Sequence, residues 1–246
     1  MVDSPVTTKL YDRLQTEVHV WFCRPSLIED SSKLADYKSV LSAEEIERFD
    51  RFHFEKDRHS YLLSHVLLRQ SLSRYADVHA SQWQFVTNEH GKPQLDLSSA
   101  LPGVYFNLTH TDGLSACVVS LRRNCGIDAE CIHRKNKFMA VAQRMFADEE
   151  IARLSDKTLD QQFYHFWTLR EAYVKAMGTG LAGSSKAFYF DIDESDLRVR
   201  LCHKNISQNN DKDWFFSLYQ PTPQHVLAVG YQSTAEVPVV MTELTP

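Results

Sequence analysis

Residues 166–178, FWTLREAYVKAMG, decide the fold of the C-terminal half of this sequence. Apolar residues recur here with the 3.6-residue period of an α-helix, and the glycine at position 178 is typical of a helix end. The pattern predicts a long helix near residues 159–177 whose buried face is formed by Phe163, Phe166, Trp167, Val174 and Met177. Glu171 and Lys175 are four residues apart and are therefore neighbours on the surface of this helix.

A second motif, GIDAE at residues 126–130, begins forty residues before FWTLREAYVKAMG. Side chains two apart in a strand point to the same face, so a strand here would set Asp128 and Glu130 side by side. Paired carboxylates need a cation nearby. However, a solvated strand end also explains this acidic pair, and an ordinary surface ion pair explains Glu171 with Lys175. Taken singly, the two motifs leave these alternatives open.

The other segments predict strands and helices in both halves. Before residue 124 we expect a strand at 18–22, a helix opened by the capping box of Ser42 and Glu45, a helix at 57–75, and strands at 83–87, 104–108 and 114–121. After it we expect strands at 126–130, 188–192, 197–202, 214–219 and 226–231, and helices at 138–146, 148–154 and 159–177. The fold class is therefore α+β with two similar halves, residues 1–124 and 125–246, and only the order of elements suggests an internal duplication.

Composition limits the class of protein. The 246 residues carry 27 Lys and Arg against 32 Asp and Glu, a formal charge of −5, which argues against a general nucleic-acid binder. The five cysteines form no CxxC pair, and Cys125, Cys131 and His133 fit no common zinc spacing, so we expect reduced thiols. The sequence shows no secretory leader and no apolar run of about 20 residues, which indicates a cytoplasmic protein.

Two short segments of the N-terminal half could meet a phosphate group. EHGKP at residues 89–93 and NLTH at residues 107–110 place Lys92, the Thr109 hydroxyl and His110 at a turn or a strand end. An ordinary turn and a structural histidine explain the same residues. These segments acquire meaning only in combination with the other motifs.

Taken together and in this order, HGKP, FNLTH, GIDAE and FWTLREAYVKAMGTGL resemble the Sfp-type 4′-phosphopantetheinyl transferases, which activate carrier proteins of peptide, polyketide and fatty-acid synthesis. The resemblance runs from the helix of Arg48 and Arg51 to Gly180, and the joint occurrence of GIDxE and WxxxEAxxKxxGxGL is highly specific. It implies a monomer whose two α+β halves are related by a pseudo-twofold axis, with coenzyme A bound in the cleft between them.

The resemblance also implies the residues of the site. Asp128, Glu130 and Glu171 would hold Mg²⁺, an ion that takes hard oxygen ligands. Lys175 would lie beside the pyrophosphate, and His110 and Thr109 would contact phosphate. Residues 91–93 would shape the nucleotide pocket, and coenzyme A would be bound by Arg48, Arg51, Lys92, Pro93, Thr109, His110 and Lys175. Lys92 and Arg48 would meet its 3′-phosphate.

The implied reaction is attack by a serine hydroxyl of an apo carrier protein on the β-phosphate of coenzyme A, with release of adenosine 3′,5′-bisphosphate. Lys175 and His110 would supply fixed positive charge, and Glu171 would accept the serine proton, directly or through a metal-bound water. The acyl or peptidyl carrier would dock on the basic segment of residues 131–145, near Arg134, Lys135, Phe138 and Met139. A solvated basic helix face is the alternative explanation of that segment.

Four positions depart from the family pattern. Thr109 and Arg170 stand where relatives often have Ser and Lys, and they keep the hydroxyl and the charge. Glu45 and Tyr61 stand where some relatives have Lys and a small hydroxyl residue, so Arg51 or Arg58 would take over the 3′-phosphate.

Two other functions could use the same groups. One is a coenzyme A or nucleotide-binding module without transfer, and the other is a Mg²⁺-dependent hydrolase that cleaves a pyrophosphate with water. The joint presence of the three carboxylates and Lys175 argues against the module without catalysis. The hydrolase needs similar groups, and it would consume coenzyme A without any carrier.

Overall fold

The structure, a computed structural model, describes residues 8–28, 31–96, 98–133, 138–155, 158–178, 186–193, 195–204 and 213–246. The chain divides into two compact units, which are Met1–Arg123 together with Val237–Pro246, and Asn124–Glu236. Each unit combines helices with a β-sheet, which confirms the predicted α+β class. No helix in these described ranges is both long and apolar enough to span a membrane.

The elements are numbered in chain order. The helices are α1 (Lys9–Arg13), α2 (Ser31–Ser39), α3 (Ala43–Asp50), α4 (Glu55–Leu72), α5 (Phe138–Met145), α6 (Asp148–Ile151) and α7 (Leu159–Met177). The strands are β1 (Val18–Cys23), β2 (Phe85–Thr87), β3 (Pro93–Leu95), β4 (Tyr105–Thr111), β5 (Leu114–Ser120), β6 (Cys125–Cys131), β7 (Phe188–Asp193), β8 (Arg198–His203), β9 (Trp214–Thr222), β10 (His225–Gln232) and β11 (Val239–Glu243). Short 3-10 turns occur at Pro25–Leu27 and Ala80–Gln82.

The first unit is built on a four-stranded sheet with the order β11-β1-β5-β4. Every residue of β5, LSACVVS, is buried, as expected for an inner strand. Helix α4 packs against β1, β4 and β5, and Leu67, Leu72 and Tyr75 belong to the core that they share. Strands β2 and β3 form a separate hairpin.

Helix α3 begins with the predicted capping box. The Ser42 backbone N–H donates to Glu45 Oε2 at 2.8 Å, and the Glu45 backbone N–H donates to Ser42 Oγ at 3.2 Å. These two bonds satisfy donors that the first helical turn leaves without intrahelical partners.

The C-terminal segment pairs with the first unit. Strand β11 runs parallel to β1, with Val18 opposite Val239 and Phe22 opposite Glu243. The sequence-based division had placed residues 237–246 with the C-terminal half, whereas their strand pairing is with β1. A parallel pair requires a long connection between its strands, and a local sequence pattern does not reveal such a connection.

The second unit is built on a three-stranded antiparallel sheet with the order β6-β10-β9, against which α7 packs. Helix α7 ends at Gly178, whose φ of 67° lies in the left-handed region that favours glycine. Phe163 and Phe166 are buried as predicted, but Met177 is 44% exposed, so its assignment to the buried face was wrong. In that last turn Ala176 is the residue that contacts the sheet.

The two units repeat one order of elements. Each has a first strand (β1 or β6), helices that end in a long helix (α4 or α7), a small hairpin (β2–β3 or β7–β8) and a larger hairpin (β4–β5 or β9–β10). The second strand of the larger hairpin pairs antiparallel with the first strand in both cases. The duplication suggested by element order therefore has a counterpart in strand pairing.

Candidate active site

The GIDAE motif forms most of β6, and its glycine brings α7 against this strand. A Cβ added at Gly126 would lie 2.1 Å from the carbonyl oxygen of Ala172 and 2.6 Å from the backbone nitrogen of Ala176. Any larger residue would collide with the backbone of α7. Because side chains alternate along a strand, Asp128 and Glu130 share the face of Gly126, which is the face that α7 covers.

The structure joins Asp128 of β6 to Lys175 of α7. Lys175 Nζ lies 2.6 Å from Asp128 Oδ1. Asp128 is only 5% exposed, whereas the Lys175 side chain is 30% exposed. The sequence spacing predicted only that Lys175 neighbours Glu171, and the packing of α7 on β6 adds this ion pair.

Glu171 lies in the same concentration of negative charge. Burial and the charges of Asp128 and Glu130 together raise the pKa of Glu171 to about 7, against the lowering effect of Lys175 and Arg170. The GIDAE motif and α7 thus bring together Asp128, Glu130, Glu171 and Lys175, which we call the acidic cluster. The cluster contains three carboxylates and one ammonium group, which pairs with Asp128, so it carries a net negative charge when all four groups are ionised.

The donor set of the acidic cluster suits Mg²⁺. In the part of the chain that the structure describes, no three His, Cys, Asp or Glu side chains stand close enough together to hold a metal ion by themselves. However, Mg²⁺ is commonly bound by one or two carboxylates and completed by waters and substrate phosphates. A half-buried, all-oxygen donor set with excess negative charge meets that requirement.

Arg170, which precedes Glu171, turns away from the acidic cluster into a buried ion pair. Its Nη1 lies 2.7 Å from Glu150 Oε2, and Glu150 is fully buried. Sequence reasoning treated Arg170 as a replacement of the family's lysine that keeps the charge, and it did not identify Glu150. The signal for Glu150 was present in ADEE at residues 147–150, where Glu150 occupies the third helical position, as Glu45 does after Ser42.

Thr109 and His110 occupy consecutive positions in β4. The Thr109 side chain is buried and that of His110 is exposed. Consecutive side chains of a strand point to opposite faces, so strand geometry does not bring these two side chains to one face. Their register partners on β5 are Ala116 and Ser115.

Lys92 and Pro93 lie at a turn that leads into β3. Asn88 Oδ1 accepts hydrogen bonds from the backbone N–H groups of His90 at 3.0 Å and Lys92 at 2.8 Å, and Gly91 has a φ of 80°. Lys92 and Pro93 line a pocket of about 340 Å³, together with Gln94, Leu95, Asp96, Ser99, Leu101, Pro102, Gly103, Val104, Tyr105, Phe106 and Arg123. The predicted nucleotide-binding turn therefore borders a cavity.

Arg48 and Arg51 are exposed at the C-terminal end of α3. The Arg48 guanidinium lies 5.8 Å from the centre of the Tyr61 ring, and Arg51 pairs with Glu47. Arg58 donates to the Phe52 carbonyl oxygen at 2.7 Å. Arg51 and Arg58 were the two arginines expected to take over the 3′-phosphate contact from the family's lysine. Arg51 is the more exposed of the two and is therefore the more accessible to a ligand.

Glu45 faces inward. Its carboxylate lies 2.6 Å from Arg69 Nη2 and 2.8 Å from His65 Nδ1. Burial by itself raises the pKa of Glu45, but the hydrogen bonds from His65, Ser42 and Arg69 outweigh this and lower it to about 2. Glu45 is therefore a structural anion in the first unit.

Of the predicted carrier-docking residues, Arg134 and Lys135 lie outside the described residues. Phe138 packs into the core of the second unit, with its ring centre 5.0 Å from that of Phe163 and 5.6 Å from that of Tyr164. Met139 is 38% exposed. The side chain of Met139 is thus available at the surface, and that of Phe138 supports α5 against α7.

Comparison with known proteins gives this arrangement a family. Residues 124–230 match the 4′-phosphopantetheinyl transferase superfamily model, and residues 29–121 match the 4′-phosphopantetheinyl transferase N-terminal model. The chain is 35% identical to the 4′-phosphopantetheinyl transferase HetI of Nostoc sp. over 172 residues, which cover 69% of this chain and 72% of HetI. The chain belongs to the 4′-phosphopantetheinyl transferase superfamily.

Other relatives agree with the Sfp type of this superfamily. The chain is 32% identical to the 4′-phosphopantetheinyl transferase Sfp of Bacillus subtilis over 166 residues, or 66% of this chain and 70% of Sfp. It is 24% identical to the human L-aminoadipate-semialdehyde dehydrogenase-phosphopantetheinyl transferase over 205 residues, or 77% of this chain and 66% of the human protein. The protein is thus an enzyme that transfers phosphopantetheine to carrier proteins, with coenzyme A as a substrate.

Proposed function

We propose that this phosphopantetheinyl transferase requires Mg²⁺, that its acidic cluster holds the ion, and that adenosine 3′,5′-bisphosphate is the second product. The observation that carries the proposal is the convergence of Asp128, Glu130 and Glu171 on the covered face of β6 and the facing side of α7, beside Lys175. Folding alone gives no reason to gather three carboxylates around one lysine.

In the proposed reaction, a carrier serine oxygen bonds to the β-phosphorus of coenzyme A. The bond from that phosphorus to the bridging oxygen breaks, and the oxygen leaves with adenosine 3′,5′-bisphosphate. Mg²⁺ held by Asp128, Glu130 and Glu171 would neutralise charge on the pyrophosphate. Lys175, whose ammonium group already lies in this cluster, provides fixed positive charge for the leaving phosphate.

Glu171 is the proposed acceptor of the serine proton. Its position on α7, one helical turn before Lys175, puts a carboxylate next to the cation that would face the phosphate. Glu171 takes the proton directly or through an intervening water. Removal of the proton by Glu171 keeps the serine oxygen nucleophilic as its bond to the β-phosphorus forms. The bridging oxygen departs with adenosine 3′,5′-bisphosphate.

The first unit supplies the proposed contacts to the nucleotide part of coenzyme A. The turn of Lys92 and Pro93 borders the 340 Å³ pocket, which supports a role in holding the adenine end. The exposed guanidinium groups of Arg48 and Arg51 are proposed to meet the 3′-phosphate, and the exposed His110 another phosphate. Thr109 is buried and points to the opposite face of β4, which does not support a phosphate contact from both residues.

The carrier protein is proposed to dock beside α5. The segment of residues 131–145, CIHRKNKFMAVAQRM, contains no acidic residue in a protein of net charge −5, and carrier proteins of this family are typically acidic. The exposed Met139 supports this proposal as an apolar contact.

The test is an intact-mass assay with purified protein, coenzyme A, Mg²⁺ and an apo carrier protein. We expect the carrier to gain one phosphopantetheine, and we expect EDTA to prevent the gain. Turnover that persists in EDTA would contradict the metal requirement, and coenzyme A cleavage without carrier would indicate the hydrolase instead.

Two variants localise the metal requirement. Asp128→Asn should abolish transfer and weaken Mn²⁺ binding measured by electron paramagnetic resonance. The matched control is Glu149→Gln, which removes a surface carboxylate paired with Lys204 and should leave both properties unchanged. Equal Mn²⁺ affinity in the Asp128 variant and the wild type would contradict the proposed ligand set.

A further inference from the structure

Glu150 and Arg170 form a buried ion pair between three elements of the second unit. Glu150 Oε2 accepts hydrogen bonds from Arg170 Nη1 at 2.7 Å and from the backbone N–H of Ala147 at 3.0 Å. Glu150 Oε1 accepts from the backbone N–H of Phe190 at 3.0 Å. One carboxylate thus ties the start of α6, strand β7 and helix α7 together.

The Arg170 guanidinium is held on several sides. Nη1 also donates to the Phe188 carbonyl oxygen at 3.3 Å, and the guanidinium lies 4.4 Å from the centre of the Phe188 ring and 5.8 Å from that of Phe146. A planar group bonded at its edge and stacked on its face has little freedom to turn. The rotation of α7 about its own axis is therefore fixed at Arg170.

A second contact fixes the distance of α7 from β6. The absence of a side chain at Gly126 lets the backbone of Ala172 and Ala176 approach the strand closely. Arg170 thus sets the rotation of the helix, and Gly126 sets its distance from the sheet. Glu171 lies in α7 between Arg170 and Ala172, the residue that approaches Gly126, and Lys175 follows one turn later. Both constraints therefore act on Glu171 and on Lys175, which pairs with Asp128.

Stability alone does not account for a buried ion pair at this place. Replacing both partners of such a pair with uncharged side chains of similar size is often neutral or even stabilising. What an apolar pair cannot reproduce is directional bonding, which selects one helix rotation among several that pack equally well.

We infer that Arg170 and Glu150 are positioning residues for transfer: they hold α7 in the rotation that presents Glu171 and Lys175 to Asp128. This inference rests on the proposed role of Glu171. Misplacement of a reacting group by about 1 Å can cost as much as 100-fold in rate, so the effect is expected in kcat.

The first unit contains a matched pair that serves as the control. Glu45 Oε2 accepts from Arg69 Nη2 at 2.6 Å and from the Ser42 backbone N–H at 2.8 Å, and the Arg69 guanidinium lies 5.0 Å from the centre of the Phe85 ring. Arg69 also donates to the carbonyl oxygens of Ala80 and Trp83. This pair has the same chemistry, but its long helix, α4, carries none of the acidic cluster.

The experiment compares two double variants, Glu150→Gln with Arg170→Met and Glu45→Gln with Arg69→Met. Each rate is divided by the coenzyme A binding stoichiometry from titration calorimetry, because a partly unfolded sample lowers kcat without moving KM. For Glu150→Gln with Arg170→Met we expect kcat to fall about 10- to 100-fold, with the KM for coenzyme A within about twofold. For Glu45→Gln with Arg69→Met we expect kcat within about twofold of wild type.

Rescue by a conservative change completes the test. Arg170→Lys keeps the charge opposite Glu150 and should retain kcat within about threefold, whereas Arg170→Gln should lose it. An unchanged corrected kcat in Glu150→Gln with Arg170→Met, or equal losses in both double variants, would overturn the inference. If that double variant does not fold, equal corrected kcat values for Arg170→Lys and Arg170→Gln would overturn it. Glu171→Gln separates the two proposals: if it retains transfer, the proposed base is wrong, whatever the pair does.

Discussion

The two long helices, α4 in the first unit and α7 in the second, occupy corresponding places but face different strands. Each carries a buried arginine that pairs with a glutamate at the third position of an earlier helix, Arg69 with Glu45 and Arg170 with Glu150. Five residues after each arginine comes another cation, Arg74 or Lys175. These two cations meet very different partners.

Arg74 lies over an aromatic ring of β1, whereas Lys175 meets a carboxylate of β6. The Arg74 guanidinium is 5.2 Å from the centre of the Trp21 ring, and Lys175 Nζ is 2.6 Å from Asp128 Oδ1. Directly after the buried arginine the first unit has Gln70 where the second has Glu171. The first unit shows that this architecture packs without the acidic cluster, which supports the proposal that the carboxylates of the second unit serve chemistry rather than folding.

The largest effect should come from making the second unit resemble the first at the position of the proposed base. Glu171→Gln should lower kcat by about 10² to 10⁴-fold, because the carboxylate that takes the serine proton becomes an amide. The counterpart Gln70→Ala should leave kcat unchanged. Both are measured as carrier modification rates; a Glu171→Gln enzyme with normal turnover would remove the functional difference between the helices.

Removal of the cation that follows each buried arginine, Lys175 or Arg74, should also affect transfer differently in the two units. Lys175→Met should lower the transfer rate by about 100-fold, since a fixed charge for the leaving phosphate is lost. Arg74→Met should cost no more than about 1 kcal/mol of unfolding free energy, the typical value of a cation–π contact near the surface, and leave the transfer rate intact. Comparable loss of transfer in both variants would mean that Lys175 acts through stability.

Gly126 tests how closely α7 must approach its strand. Gly126→Ala should destabilise the protein by about 3 kcal/mol, because the added methyl group would meet the Ala172 carbonyl oxygen and the backbone of α7. Urea unfolding measures this. Gly103→Asn is the control, since a Cβ at Gly103 meets nothing within 4 Å and asparagine tolerates its φ of 73°. A loss for Gly126→Ala no larger than that for the control would contradict the need for this close contact between β6 and α7.

The smallest effect concerns a series of hydrogen bonds that begins at Trp21 of β1 and passes through Tyr75 and His19 to Glu17. Trp21 Nε1 donates to the Tyr75 hydroxyl at 2.8 Å, so the hydroxyl proton goes to His19 Nδ1, and His19 Nε2–H donates to Glu17. Burial lowers the pKa of His19, against the opposing effect of Glu17, while Arg13 lowers it further. The folded protein therefore favours the neutral form of His19.

The lowered pKa of His19 determines how the free energy of unfolding depends on pH. Because the folded-state pKa lies below the unfolded value of about 6.5, the stabilisation is present above pH 6.5 and is lost as the pH falls toward the folded-state pKa. The loss amounts to at most about 1.4 kcal/mol per pH unit. Urea unfolding at pH 7 and pH 5.5 should show a smaller drop for His19→Gln than for the wild type; equal drops would contradict this role for His19.

Local patterns predicted most elements of both units. Strands β1, β4, β5, β6, β9 and β10 and helices α5 and α7 lie where alternation, helical periodicity and caps indicated. The internal repeat was predicted from element order only. The structure adds that LSAEEIERF at residues 41–49 and FADEEIARL at residues 146–154 carry corresponding glutamates, Glu45 and Glu150, at the third position of a helix. Element order suggested this duplication, and the capping glutamates and their buried arginines supply its residue-level counterpart.

The pairing of β11 with β1 and the burial of Arg170 could not be predicted in this way. Both depend on partners far away in the sequence, and a charged side chain by itself indicates exposure. The contacts of the partly buried Phe138 with Phe163 and Tyr164 likewise depend on how α5 packs against α7, and its predicted role in docking stays a prediction.

The sequence by itself determined the α+β class, the family resemblance and the relations within single elements. Asp128 and Glu130 share a strand face, and Glu171 and Lys175 share a helix face, because the periods of 2 and 3.6 residues fix these relations locally. Only the tertiary structure decided that α7 lies on β6 at Gly126 and that Lys175 reaches Asp128. It also turned Arg170 inward to Glu150, because contacts between elements depend on how their surfaces pack and not on spacing along the chain.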